Sequence, residues 1–287
     1  MKLLTLNCHS LVEPGYESKL AAFAGEMLRR QPDIIALQEV NQTRSAPPAP
    51  PEGREGYVPC ETAVPLRRDN HALRLAALLR DGGWPMEWTW TPAKIGYGIY
   101  EEGLALLSRA PIRAARAWYT TRDHAMDNWR VRKALSIHTA ADGVDAQFLC
   151  VHMGWWADEP DPFPAQWRQV EAGVDPALPC FILGDLNSPA GERGTGYDYV
   201  TRRGWRDAYR LAQTRSGEAT VPGAIDGWRE RPEQGAMRID YILCSRPTAV
   251  ERCQVLLDGI NGPVVSDHFG VMATGRLEEH PCEQAES

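Results

Sequence analysis

Short apolar runs and 3.6-residue periodicities alternate along this chain. They divide it into a strand–helix–strand opening, a loop with one helix, and a long β-rich remainder. Residues 3–6 read as a buried strand. Across 17–30 the apolar positions Leu20, Phe23, Ala24, Met27 and Leu28 recur at helical spacing, and Pro32 stops that helix. The apolar run 33–37 supplies a second buried strand. Residues 41–65 are rich in Pro and Gly and predict a long surface loop. The spacing predicts a second helix over 70–80, with Asn70 as its N-cap and Gly82-Gly83 as its stop. Strands are predicted over 104–107, 114–119, 131–138 and 146–151, with 140–143 as the turn joining the last two. A helix over 164–172 follows, then strands over 181–183, 239–243, 250–257 and 269–275. The polar segment 278–287 is expected to fray.

No internal repeat and no linker-like break interrupts the β-rich region, so one domain is expected over 1–277. Many strands with few helices predict an α+β fold in which two packed sheets carry helices on the outside.

Composition narrows the function. The 287 residues carry a formal charge of −7 and no basic tail, which argues against a surface built to grip long polyanions. The seven cysteines are odd in number and form no CxxC, so they read as buried or free thiols in a reducing compartment. The N-terminal apolar run is too short for a signal peptide, and no stretch is long enough to span a bilayer, so a cytoplasmic protein is expected.

The informative feature is where polar residues interrupt the apolar runs. Asn7 ends the first strand and Glu39 the second. His152 ends the run 148–151, and Asp185 and Asn187 follow the run 181–183. Asp240 sits inside the strand 239–243, and Asp267-His268 precedes the last strand. Any one carboxylate at a strand end is an ordinary turn or cap residue. Asp240 is different, because a carboxylate inside an apolar strand needs a partner, and a histidine suits it. The whole set at successive strand ends points to a site. Hard oxygen ligands suit magnesium, with manganese as the alternative. Histidines supply proton transfer and hydrogen bonds to phosphoryl oxygens. No HExxH, phosphate loop GxxxxGK[ST] or GxSxG elbow is present. Metal-assisted attack of water on a phosphoester fits this inventory.

In this order, Leu6-Asn7, Leu37-Gln38-Glu39-Val40, the segment 103–109, Val151-His152, Gly184-Asp185-Leu186-Asn187, Arg238-Ile239-Asp240-Tyr241 and Ser266-Asp267-His268 resemble the endonuclease/exonuclease/phosphatase superfamily. The resemblance implies a four-layer αββα sandwich of two mainly antiparallel sheets flanked by helices. It implies Glu39 as the main metal carboxylate, with Asn7 and Asp267 nearby. Asp185 then positions or deprotonates the attacking water, and Asn187 donates to the phosphate. His268, supported by Asp240, stabilises the developing charge, and His152 contacts a non-bridging oxygen from the other side.

The segments 94–103, 128–135, 152–156, 166–167 and 225–228 look like a bacterial branch that includes maltose-6-phosphate phosphatase. That likeness implies a sugar-phosphate phosphatase acting on a small phosphorylated substrate. A DNA or RNA nuclease with the same catalytic centre is the alternative, and nucleic acid the alternative partner. An inactive scaffold is disfavoured because each catalytic position is filled, and no membrane partner is expected. Arg130 and Arg132 are candidates to reach the phosphate, though an alternating basic strand is also simply a solvated face. Trp155 and Trp156 follow His152 and are candidates to stack on a sugar, though most tryptophans are packing residues.

Overall fold

The computed structural model describes residues 1–61, 63–223, 225, 227–228 and 235–277. Asp226 of the branch-like segment and the polar 278–287 tail lie outside them. The two sheets follow directly from strand alternation. In β1 (Lys2–Asn7) and β2 (Ile34–Thr43), Leu4, Leu6, Ile35 and Leu37 turn to one side and join the core that holds Phe23, Met27, Leu75 and Leu79. Those four belong to α1 (Tyr16–Arg30) and α2 (His71–Asp81), which cover the first sheet. The alternate residues Leu3, Ile34 and Ala36 face a second core shared with the other sheet.

The second sheet mirrors this. In β7 (Val144–His152) and β8 (Cys180–Asp185), Phe148, Cys150, Phe181 and Leu183 fill the space between the sheets. Leu149, Val151 and Ile182 pack outward against Phe163, Trp167 and Val170 of α3 (Phe163–Ala172) and Val200 of α4 (Gly196–Arg202). Four layers result, as the resemblance implies.

The first sheet completes with β3 (Glu87–Gly96), β4 (Tyr100–Ser108), β10 (Thr214–Ser216), β12 (Ala249–Leu256) and β13 (Gly270–Arg276), in the order β10-β12-β13-β1-β2-β4-β3. The second contains β5 (Ala114–Tyr119), β6 (Lys133–Ala141), β9 (Arg206–Asp207) and β11 (Asp240–Cys244), in the order β5-β6-β7-β8-β11-β9. Most pairs are antiparallel, but β1–β2, β7–β8 and β10–β12 are parallel. A short helix, α5 (Ala208–Leu211), bridges β9 and β10.

Several sequence expectations shift. β3 carries the alternation Trp88-Thr89-Trp90-Thr91, which Pro92 obscures; Pro is tolerated because β3 is the edge strand and the register slips between Pro92 and Lys94. The predicted loop from 41 begins later, because β2 runs on to Thr43 beyond a bulge. Glu39 therefore lies within its strand, not at the end. The strand predicted from 131 starts at Lys133, since Val131 and Arg132 belong to the preceding turn. Asp240 opens its strand rather than sitting inside it, because the Ile239 and Asp240 amides donate to Thr220 Oγ1. Asn70 caps α2 as expected, its side chain accepting from the Leu73 amide at 3.1 Å.

Candidate active site

The same alternation that builds the core builds the site. Asn7 continues the row Leu3, Thr5; His152 continues Phe148, Cys150; Asp185 continues Phe181, Leu183; and Asp240 heads the row Ile242, Cys244. All four therefore point between the sheets at one end of the sandwich. Register aligns them further: His152 pairs with Asp185 across the parallel β7–β8 ladder, and Asp240 pairs with Asp185 across β8–β11.

Glu39 is out of phase with this pattern, since the buried Gln38 occupies the inward position and bonds Thr5 Oγ1 and Cys150 Sγ. The bulge between Leu37 and Val40, with Glu39 at φ 53°, re-aims the carboxylate into the site. Asn7 Nδ2 then donates to Glu39 Oε1 at 2.9 Å and to Asp185 Oδ2 at 3.2 Å, tying the two sheets together.

Gly184 is required by the same geometry. Its φ is +148°, and a Cβ there would lie 1.9 Å from the Val151 carbonyl oxygen. Gly184→Ala is expected to cost about 3 kcal/mol and lower Tm by roughly 5–10 °C, which thermal unfolding measures directly. A Tm within error of the parent would contradict the β7–β8 contact.

His268 Nδ1 lies 3.0 Å from Asp240 Oδ2, in the predicted pair. Its Nε2 is 3.9 Å from Asp185 Oδ2. Burial favours the neutral ring, but Asp240 and then Asp185 outweigh it and carry the His268 pKa to about 10. The ring is thus a cation at neutral pH, with Nδ1 donating to Asp240. Burial, with the cations Arg132 and Lys94, pushes His152 well below the usual range, so it is neutral. Its Nε2 is 3.6 Å from Asp185 and its Nδ1 4.0 Å from Glu39.

Asn187, at φ 46°, clamps Asp185: its amide donates to Asp185 Oδ1 at 2.7 Å. Its side chain donates to the Met153 carbonyl and accepts from Trp228 Nε1.

The donor set fits a divalent cation. Glu39, Asp185, Asn7 Oδ1 and Asp267 are all hard oxygen donors. Burial, then Glu102, raises the Glu39 pKa, and burial, then Asp240, raises that of Asp185. Both carboxylates are thus short of positive charge, which a cation supplies. Asp240 Oδ1 is also buried with no hydrogen-bond partner. Asp267 stands apart from the cleft wall: its Oδ1 is 3.8 Å from His9 Nδ1 and accepts from Ser266 Oγ, whose hydroxyl also reaches the Asn7 carbonyl.

Glu39, His152, Asp185, Asn187 and His268 line a cleft of about 870 Å³. Arg130, Arg132, Trp155 and Trp156 all line it, together with residues that sequence reasoning did not assign: Lys94, Glu102, Trp129, Asp158 and Trp228. Arg130 pairs with Asp158 at 3.0 Å and stacks on Trp129. Trp155 meets Trp129 edge-on, and Trp156 packs on Phe163 and Tyr199, so both rings combine packing with cleft lining. His9, pulled to the left-handed φ of 47°, joins Glu13, Asp267 and Tyr97 at the rim. The signal for Lys94 and Glu102 lay in the hidden strand β3, which pairs Lys94 with Glu102 of β4.

The sequence profile described as the Endonuclease/Exonuclease/phosphatase family matches residues 4–268. An endonuclease/exonuclease/phosphatase family protein from Leptotrichia buccalis C-1013-b is similar at TM-score 0.84 and 26% identity, over 96% of this chain and 100% of that one. A mannosyl-6-phosphatase from Bacteroides thetaiotaomicron VPI-5482 shares the fold at TM-score 0.63 and 16% identity, over 96% and 100% of the two chains. TDP2 from C. elegans shares it at TM-score 0.59 and 17% identity, over 96% and 75%. No curated protein matches the chain. The profile spans nearly the whole chain: this protein belongs to the endonuclease/exonuclease/phosphatase family, whose members are metal-dependent phosphoesterases.

Proposed function

We propose that this protein is a magnesium-dependent phosphatase of small phosphorylated carbohydrates, with manganese as the substitute ion. The carrying observation is the lining of the cleft. Four tryptophans, Trp129, Trp155, Trp156 and Trp228, wall a space of about 870 Å³, which suits a compact ligand with apolar faces. The same walls carry five carboxylates against four cations, Lys94, Arg130, Arg132 and the charged His268, so the cleft has no net basic ridge for a polyanionic strand. The fold neighbour named a mannosyl-6-phosphatase puts sugar-phosphate chemistry within reach of this architecture. A cytoplasmic setting belongs to this reading, supported by the six described cysteines being free thiols. Among the described residues, no helix is long and apolar enough to cross a membrane.

In this reading Glu39 holds the ion, with Asn7 and Asp267 beside it. When bound, the ion supplies positive charge to a phosphoryl oxygen. Asp185, fixed by Asn187, orients water for attack on phosphorus and accepts its proton. His268, charged and braced by Asp240, donates from Nε2 to a phosphoryl oxygen as negative charge builds there. His152 donates from the opposite side. The bond from phosphorus to the sugar oxygen breaks, the departing sugar oxygen takes up the proton released from water by way of Asp185 and solvent, and inorganic phosphate and the sugar leave.

The deciding experiment compares kcat/KM for disaccharide phosphate, hexose phosphate, mononucleotides and duplex DNA at near-physiological salt. Sugar phosphates should be preferred, and Trp155→Ala or Trp156→Ala should raise KM for the sugar substrate while sparing p-nitrophenyl phosphate. Efficient DNA nicking with negligible phosphate release from every sugar phosphate would replace this reading with the nuclease one.

A further inference from the structure

Two cations sit behind the catalytic carboxylates. Arg132 is only 3% exposed and lines the cleft. Its Nη1 donates to the Trp129 and Val131 carbonyls at 2.9 and 3.2 Å, and its guanidinium lies 5.8 Å from the Trp155 ring centroid. Its Nε is buried with no hydrogen-bond partner, and no ion-pair partner of Arg132 is found among the described residues. Leaving a buried guanidinium unpaired is costly, so its place at a phosphoester cleft calls for an anion. Lys94, from the edge strand β3, also lines the cleft, and its Nζ is 3.1 Å from Glu102 Oε1. Lys94, Glu102, Arg132 and His152 further share the wall of a void of about 10 Å³. The two cations therefore converge beside His152; of the two, only Lys94 makes a close ion pair among the described residues, with Glu102, while Asp158, Asp185 and Glu39 also act on Arg132 without an ion-pair contact.

We infer that Lys94 and Arg132 form a paired-cation site that takes the second negative charge of a terminal phosphate, making this cleft selective for phosphomonoesters over phosphodiesters. The inference rests on the phosphatase reading above and names the groups that would enforce it. A monoester carries a charge of about −2 at neutral pH. A diester has lost one ionisable oxygen to its second ester bond and presents about −1. Glu102 neutralises one of the two cations, and the other remains for the extra phosphate charge. Arg presents donors in a fixed fork that matches phosphate oxygens, and its free Nε belongs to that fork. The plainer account is that Arg132 only ties down the 129–131 turn, with one water in the small void meeting Nε.

The test measures kcat/KM for p-nitrophenyl phosphate and bis(p-nitrophenyl) phosphate with magnesium, and the Ki of inorganic phosphate, in the parent, Lys94→Gln and Arg132→Gln. The inference expects the parent to prefer the monoester. Each variant should lose roughly 30-fold or more on the monoester while the diester changes by less than about threefold, the scale for removing one partner of a buried charge interaction. The phosphate Ki should rise in parallel. If Arg132→Gln does not fold, by loss of a cooperative thermal transition, Lys94→Gln decides alone. An unchanged monoester-to-diester ratio in a folded variant overturns the paired-cation site and leaves the phosphatase reading standing. A parent that prefers the diester overturns both.

Discussion

His268→Ala should lower kcat by roughly a hundredfold or more while the protein stays folded. The imidazole is nearly inaccessible, its Nδ1 is held by Asp240 at 3.0 Å, and its Nε2 faces the carboxylate of Asp185. Such a ring cannot leave the site to find water, so its charge acts only on what occupies the cleft. Asp240→Asn should give a smaller loss of kcat, because the amide oxygen can still accept from Nδ1 but no longer supplies the negative charge that keeps the ring cationic. The pair acts as one unit. The double variant should therefore lose little more than His268→Ala alone, and the non-additivity separates a catalytic pair from two independent packing residues. Steady-state kinetics with a small phosphate ester, alongside thermal unfolding, measures both effects. Normal turnover in both folded single variants would remove His268 and Asp240 from the mechanism.

Much of this site was legible in the sequence because strand alternation is strict. Once Leu3, Phe148 and Phe181 are placed facing the opposite sheet, a period of two carries Asn7, His152 and Asp185 to the same end and the same face. The partner for Asp240 was legible from desolvation alone: a carboxylate beside Tyr241-Ile242-Leu243 had to find a donor, and His268 supplies it. Two things escaped that logic. Glu39 reaches the site only through a bulge and a left-handed backbone, which interrupt the period. The cations behind the site depend on β3, whose pattern is broken by Pro92, so the pairing of Lys94 with Glu102 appears only when β3 is laid on β4. Neither Arg132 nor Trp155 shows its dual character in the chain: one is a buried cation tied to backbone carbonyls, the other a packing ring that also walls the cleft.

Removing divalent metal should have the largest effect of all. Glu39 and Asp185 are brought together by a single amide donor, Asn7 Nδ2, and burial raises the pKa of both. Two buried carboxylates facing a phosphate would repel it, and two of the nearby cations are already engaged, Lys94 with Glu102 and His268 with Asp240, which leaves Arg132 alone to offset them. Arg132 by itself does not offset both carboxylates, so a further cation is needed beside Glu39 and Asp185 for the phosphoryl group to be attacked. Oxygen-only donors predict that magnesium restores activity and manganese substitutes for it. Glu39→Gln should weaken the metal response rather than the fold, raising the concentration of magnesium needed for half-maximal rate. The most direct measurement is phosphate release from a sugar phosphate by thoroughly demetallated protein, before and after titration with magnesium. The account predicts no turnover beforehand and full recovery on titration; undiminished phosphate release from the demetallated protein would contradict it.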